Sequence, residues 1–332
     1  MLKTIDMKAV RVESYGSPEV LQIENIEKPS PKSNEVLIKI SATSITGAST
    51  FMREGTPYFG RLFMGLTKPK IKIPGTDLAG VVEAVGSDVG NFKPGDMVMA
   101  ETGLNCGAYA EYICIECDDL IVLKPENVSP EEATGILDGA CTALAFFTDQ
   151  VQIKQGQKVL INGASGSIGT AAIQLAKQLG AEVTGVCSTK NKAMVVDLGA
   201  DNVLDYTKNE LQGSSEKFDV VFDTVGKLSY SKTKKNLSEN GVFLTPVLSF
   251  SALLHMLFSS PFTKKKLKFS ATGLRKKEQQ MRDLIQVRDM LASKKITTII
   301  DRVYPMDQIQ EAHKYVDTGR KRGNVILSIN AQ

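Results

Sequence analysis

Three glycines near the middle of the chain have a spacing suited to holding phosphates. They are Gly163, Gly166 and Gly169, in KVLINGASGSIGTAAIQLAKQLG, residues 158–180. Val159–Ile161 reads as a buried strand that runs straight into the glycine loop. A helix follows, with Ile168, Ala172, Leu175 and Leu179 recurring on one face and Gly180 at its end. A second strand, Glu182–Cys187, comes next. In such a unit the first glycine permits the tight turn. The second lets a pyrophosphate approach the backbone, and the third lets helix and strand pack closely. The helix start adds free N–H groups and a positive dipole end. Glycine spacing alone is a weak signal. Strand, loop, amphipathic helix and second strand in this order form a specific one, for a dinucleotide. Gly163, Ala164, Ser165, Gly166, Ser167 and Ile168 are therefore the expected cradle.

The end of the second strand chooses between cofactors. An NAD site places an Asp or Glu there to bind the ribose hydroxyls. Here the chain reads Cys187-Ser188-Thr189-Lys190-Asn191-Lys192, with hydroxyls and lysines and no acid. Ser188, Thr189 and Lys192 suit a 2′-phosphate, which a carboxylate would repel, so NADP(H) is expected over NAD(H). The lysines also read as the solvated start of the next helix. Tyr206, after a short strand Asn202–Leu204, either flanks the same pocket or is a surface aromatic. DVVFDTVG, residues 219–226, reads as another strand ending in a turn. Ligands in open parallel sheets bind at such carboxyl ends, which brings Val225 and Gly226 toward the adenosine. Asp223 has two readings, a ligand contact or a structural turn acid.

These residues need a scaffold, and the apolar pattern supplies two kinds. From about residue 7 to 129 the apolar runs are short and broken by Gly and Pro, as in EVLIKISA, AGVVEAVG and DLIVLKP, which argues for a β domain. From about 130 to 274 strand-like and helix-like runs alternate, the signature of a parallel sheet. The last zone, 275–332, reads as a helix near Lys276–Leu291, a strand, a short helix Asp307–Val316 and a strand Asn324–Ile329. The 332 residues, 42% hydrophobic and 23% charged, describe an ordinary globular chain of about two domains. A net charge of +3 is too small a bias to argue for nucleic acid or an acidic membrane surface. The most apolar stretch, 250–258, is too short to span a bilayer, and MLKTIDMKAV lacks the apolar core of a signal segment. Five scattered cysteines are cytosolic thiol usage, so a cytoplasmic location is expected.

With those residues in hand, the chain resembles the medium-chain dehydrogenase/reductase superfamily, and within it the zinc-independent quinone oxidoreductase branch and its alcohol-dehydrogenase-like relatives. The resemblance covers essentially the whole chain. It runs through IPGTDLAGVVEAVGSDVGNFKPGDMVMA, GAYAEYICI, the GASGSIG cradle, LGADNVLDY and FDVVFDTVG to the closing RGNVILSI. It implies an α/β protein: a GroES-like β-barrel catalytic domain from residues 1–129 and 275–332, and a doubly wound Rossmann domain, 130–274, binding NADP(H). The active site is expected in the cleft. Asn324, in the closing segment, joins the cofactor-binding candidates. Zinc-dependent relatives carry Cys-Gly-Thr-Asp and Gly-His-Glu elements. Here the matching segments are Thr46-Gly47-Ala48-Ser49 and Gly75-Thr76-Asp77, so two ligand positions hold threonine. Cys106, Cys114 and Cys117 offer three sulfurs where a structural zinc takes four ligands. No metal is expected.

Without a Lewis acid, a quinone or a conjugated carbonyl is an easier hydride acceptor than a simple ketone. The developing oxyanion can be held by hydroxyl or backbone donors. Thr46, Ser49, Tyr58 and Thr142 are the candidates. Thr142 matches the family position beside the nicotinamide and also reads as a helix-packing residue. Tyr58 is a cleft-wall or a loop aromatic. Ser49 stands where many relatives have Asp or Asn, which puts their substrate contact in doubt. The expected function is NADPH-dependent reduction of quinones or α,β-unsaturated carbonyls. The alternatives are a zinc-free NADP-dependent alcohol/aldehyde oxidoreductase, or a nucleotide-binding protein with little catalysis. The segment SFSALLHMLFSS reads as an apolar helix over the cleft or against a partner subunit. The strand expected at Leu267–Thr272 matches the position where family members pair sheets, which implies a homodimer.

Overall fold

The computed structural model describes residues 5–56, 58–248, 254–256 and 264–329. Its strands are β1 (Asp6–Val12), β2 (Leu21–Glu27), β3 (Glu35–Ser44), β4 (Asp77–Val85), β5 (Met97–Glu101), β6 (Tyr112–Glu116) and β7 (Ile121–Leu123), followed by β8 (Lys158–Asn162), β9 (Glu182–Cys187), β10 (Asn202–Asp205), β11 (Phe218–Asp223), β12 (Leu237–Thr245) and β13 (Lys266–Phe269), and finally β14 (Ile300–Pro305) and β15 (Asn324–Ser328). The described residues divide into two compact units: residues up to 137 with 277–294 and those from 298 onward, and 138–276 with 295–297.

The first unit is built on β3. One edge of this strand pairs β4 along most of its length. The other edge pairs β6 over Glu35–Lys39 and β15 over Ala42–Ser44, so the late chain closes the early sheet. The full order is β14-β15-β3-β4-β5-β7, with β1-β2 as a separate two-stranded sheet. Val36, Ile38 and Ile40 alternate along β3 and pack with Leu78, Val82 and Val98 in one core, the period-2 pattern that the short apolar runs carry. Helix Ile309–Asp317 adds Ile309, Ala312, His313 and Val316 from a single buried face.

The second unit is a parallel sheet in the order β10-β9-β8-β11-β12-β13. Counted from β8, this is the dinucleotide-binding order, with β8 and β11 side by side at the point where the winding reverses. The crossovers carry helices Ser167–Gln178, Lys192–Asp197, Glu210–Gly213 and Tyr230–Thr233. Val159–Ile161 and Val220–Phe222 are buried throughout, as strands covered on both faces must be. The Phe146 ring packs tilted against Phe222 at 5.0 Å, and the Phe147 ring meets it edge-on at 5.5 Å.

Two elements differ from expectation. The helix after β8 is buried continuously from Gly169 to Ala176, not along one face, while Ile168 and Leu179 are only half-buried. Its glycine, threonine and alanines are small enough to be covered on several sides. Gln174 on its flank takes both main-chain groups of Thr297, at 2.8 and 3.0 Å. The strand expected at Leu267–Thr272 ends at Phe269, because its partner β12 ends at Thr245; Thr272 lies in a 3-10 turn, Thr272–Leu274. Most of the apolar segment SFSALLHMLFSS lies outside the described residues. Within it, the His255 ring meets Tyr230 edge to face at 5.2 Å.

Candidate functional site

The glycine loop leaves β8 at Asn162. Gly163 has φ +76, and a Cβ there would meet Thr224 Oγ1 at 2.6 Å. Gly169 is pressed against the loop, with an ideal Cβ only 2.1 Å from the Gly163 carbonyl oxygen. These two glycines are required by the fold itself. Gly166 is different. Its φ of −88 and ψ of −179 suit any residue, and an ideal Cβ would find only Gly163 O, at 3.4 Å. Nothing in the described chain demands glycine there. It is the N-cap of helix Ser167–Gln178 and has no side chain with which to cap it. A helix start whose N-cap carries no side chain leaves room for a diphosphate to approach the backbone.

A second observation supports the fit. Asn191, buried in the turn after β9, donates from Nδ2 to Ser165 Oγ at 2.9 Å. Its Oδ1 is buried with no hydrogen-bond partner among the described residues. An orphaned acceptor next to the loop is costly unless a donor, such as a ligand hydroxyl, completes it. The sequence reading passed over Asn191. Its only signal was its position in the turn that follows the second strand.

At the end of β9 the structure brings in an acid that the local sequence does not show. Asp205, at the end of β10, accepts the hydroxyl proton of Thr189. It also accepts Thr207 N at 2.9 Å and Thr207 Oγ1 at 2.7 Å. The Thr189 hydrogen bond, then that of Thr207, holds the Asp205 carboxyl down at about 2. Thr189 therefore has no hydroxyl proton left for a phosphate. Lys192 Nζ lies 3.4 Å from Glu210 Oε2, which also accepts Asp205 N at 2.6 Å. Ser188 precedes these residues and is half-buried. Tyr206, in the 3-10 turn after β10, is 59% exposed.

Beside β8, Asp223 resolves to the turn acid. Its Oδ1 accepts Asn162 Nδ2 at 2.8 Å, Gly226 N at 3.1 Å and Val225 N at 3.3 Å, and its Oδ2 accepts Leu228 N at 2.7 Å. Burial pushes this carboxyl above its ordinary value against those donors. Asn162, absent from the sequence candidates, ties the two strand ends together; its carbonyl also accepts the Thr224 hydroxyl at 2.8 Å. Thr142, in the same unit, sits with Oγ1 3.4 Å from Thr272 Oγ1.

The remaining candidates lie in the first unit. Thr46 is the N-cap of helix Gly47–Glu54: its Oγ1 accepts Ser49 N at 3.1 Å and lies 3.2 Å from Ser49 Oγ. Both residues are buried, and the pair locks the helix start to the end of β3. Tyr58 is 74% exposed, with Arg61 over its ring at 4.8 Å. Asn324 Nδ2 donates to Ile299 O at 3.0 Å at the start of β15, so it braces the strand end. One helix turn from Ser49, Arg53 is buried. It donates to Gly16 O at 3.1 Å, to Asp317 Oδ2 at 2.9 Å and to His313 Nδ1 at 3.3 Å. Burial, then the Arg53 charge, pulls His313 down to about 3 and keeps the imidazole neutral.

Among the described residues no group of three or more His, Cys, Asp or Glu is placed to hold a metal ion. No described helix is long and apolar enough to cross a membrane.

Comparison with known proteins agrees with this arrangement. Residues 32–126 match the alcohol dehydrogenase GroES-like domain, and residues 198–327 match the zinc-binding dehydrogenase family. A chloroplast envelope quinone oxidoreductase homolog of Arabidopsis thaliana is 32% identical over 334 residues, 97% of this chain and 98% of that one. An NADPH-dependent alkenal/one oxidoreductase of the same plant is 30% identical over 336 residues, 97% of this chain and 79% of that one. The solved quinone oxidoreductase of Coxiella burnetii superimposes with a TM-score of 0.86 at 28% identity, over 98% of this chain and 100% of that one. The chain belongs to the medium-chain dehydrogenase/reductase superfamily, in its quinone oxidoreductase-like branch.

Proposed function

We propose that this protein is a zinc-independent, NADPH-dependent reductase of quinones or α,β-unsaturated carbonyls. The observation that carries the reading is Gly166, a glycine that the fold does not need, at a helix start where the N-cap has no side chain. Gly163–Ile168 would hold the diphosphate, with Val225 and Gly226 on the adenosine side. Ser188 and Lys192 would hold the 2′-phosphate, with Tyr206 flanking it. A relative that is NADPH-dependent by name, and a mycobacterial structural neighbour solved with NADPH, support that choice of cofactor.

When bound, the cofactor supplies a hydride to the acceptor. The chain's own task is to orient both molecules and stabilise oxygen as it gains charge. Thr46, Ser49, Tyr58 and Thr142 are the candidate hydroxyl donors for that oxygen. Threonine at positions 46 and 76 offers a zinc ion no nitrogen, sulfur or carboxylate donor, which favours acceptors that need no Lewis acid.

The same reading makes the protein a cytoplasmic homodimer. Its support is five cysteines scattered along the sequence, and the edge strand β13, which pairs only with β12 among the described residues. Sedimentation velocity tests the dimer.

A steady-state panel of NADPH and NADH against quinones, enals, enones, simple ketones and simple alcohols tests the activity. Oxidation of NADPH by quinones or enals but not by simple ketones is expected. Turnover of simple alcohols with NADP would move the assignment to an alcohol oxidoreductase. Tight binding without turnover of any acceptor would leave a nucleotide-binding protein.

A further inference from the structure

The first unit contains a pocket that none of the residues above accounts for. It has room for about 120 Å³, and its walls include Val12, Met52, Met64, Ile71, Leu104 and Cys106. That is somewhat less than the 150 Å³ or so of a dry protein cavity that takes up benzene.

The polar groups on its wall face elsewhere. The Tyr15 hydroxyl donates to Gly65 O at 2.7 Å. The Arg53 guanidinium is committed to Gly16, His313, Glu54 and Asp317. The Cys106 thiol sits 3.7 Å from both Met52 Sδ and Gly103 O. Burial pushes that thiol up to about 11, so at neutral pH it is a soft apolar wall and not a nucleophile. Among the described residues, a guest in this pocket meets mostly carbon and sulfur.

Two further features mark the pocket. Cys106 has φ 54 and ψ −149, a backbone conformation that favours glycine, yet it carries the side chain that lines the wall. Strain held at one residue is a pointer to function when a site lies beside it. Two of its apolar lining side chains also reach the surface: Leu104 is 51% exposed and Ile71 37%. Exposed apolar side chains at an apolar recess mark a candidate binding site.

We propose that this pocket binds the apolar tail, a short alkyl chain or a single ring, of the molecule the protein reduces. The inference rests on the reductase reading for the identity of the occupant and on the pocket alone for its chemistry. It implies an acceptor with a polar, conjugated head and an apolar end of four to six carbons or so, the size of the benzene that such a cavity takes.

The test exploits the absence of tryptophan from the chain. Leu104→Trp and Ile71→Trp each place one fluorophore on the rim, and the second serves if the first does not fold. The full-length variants are titrated with 1-hexanol, without nucleotide, and with hexane-1,6-diol as a control. A saturable emission shift with hexanol, at least about tenfold weaker with the diol, is expected. In the wild-type protein, kcat/KM for 2-alkenals rises about fourfold per added methylene until the pocket is full. In Leu104→Trp that chain-length dependence flattens.

No shift with hexanol in either folded variant overturns the proposal. So does a shift given by anionic phospholipid vesicles but not by hexanol, which would make the rim a membrane contact. A chain-length dependence unchanged in Leu104→Trp also overturns it. If hexanol binds but no enal or quinone is turned over, the reductase reading fails and the apolar site stands without its occupant.

Discussion

Gly166→Ala separates what the loop does for the fold from what it does for a ligand. In the free protein the added methyl meets only Gly163 O, at 3.4 Å, an ordinary contact. Alanine is the poorer N-cap by about 1 kcal/mol, and the stiffer unfolded chain returns about 0.4–1 kcal/mol. The melting temperature of the nucleotide-free protein should therefore move by no more than about 4 °C. The same methyl occupies the space a diphosphate needs. Losing one charge-assisted hydrogen bond costs about 1.5–3 kcal/mol, which raises the Kd for NADPH by about 10- to 150-fold. Gly169→Ala is the contrast. Its Cβ would stand 2.1 Å from a main-chain oxygen, and relief needs a backbone shift costing about 3 kcal/mol or more. Calorimetric titration with NADPH and thermal melts of both nucleotide-free variants give the comparison. Wild-type affinity in Gly166→Ala would refute the cradle. Equal loss of melting temperature in both variants would refute the division between a glycine the fold needs and one the ligand needs.

Other consequences follow from the same geometry. Ser188→Asp puts a charge at the proposed 2′-phosphate site, so KM for NADPH should rise far more than KM for NADH; equal losses would remove Ser188 from that site. His313 is held near 3 by burial and by Arg53, below its ordinary value of 6.5. Between those values the unfolded chain binds a proton that the folded chain refuses, so stability falls as pH drops from 6.5 toward 3, by up to about 1.4 kcal/mol per pH unit. In His313→Gln, melting between pH 6.5 and 4 should depend on pH less steeply, and an unchanged slope would count against this account. Asp205 is depressed to about 2, so its contribution is present above its unfolded value near 4 and is lost as pH falls toward 2. Asp205→Asn should melt lower than wild type at pH 7 and converge with it near pH 2; identical melting at pH 7 would show that the Thr189 and Thr207 bonds contribute nothing.

Much of this protein was legible in local patterns. The short apolar runs of β3 and β4, broken by Gly and Pro, and the alternation of strand-like and helix-like runs from about residue 130 announced a β unit and a parallel sheet, because both signals are written into neighbouring residues. The glycine loop was legible for the same reason, since a turn, a close approach and a helix start all fall within seven residues, Gly163–Gly169. Thr46 and Ser49 were found as residues, but their mutual capping bond was not, although three positions separate them; as candidates for chemistry they were not weighed as a helix start.

What the sequence determined by itself is the class of each unit and the glycine loop, because those depend on periodicity and on glycine's missing side chain, both properties of short segments. Tertiary structure decided the rest. It brought Asp205 to Thr189 across 16 positions, Asp223 to Asn162 across 61 and His313 to Arg53 across 260. It also assembled an apolar recess from Val12, Met52 and Cys106. A hydrogen bond or a cavity wall depends on distance in space. Only the pairing of β3 with β15 and the winding of the parallel sheet fix which distant residues become neighbours.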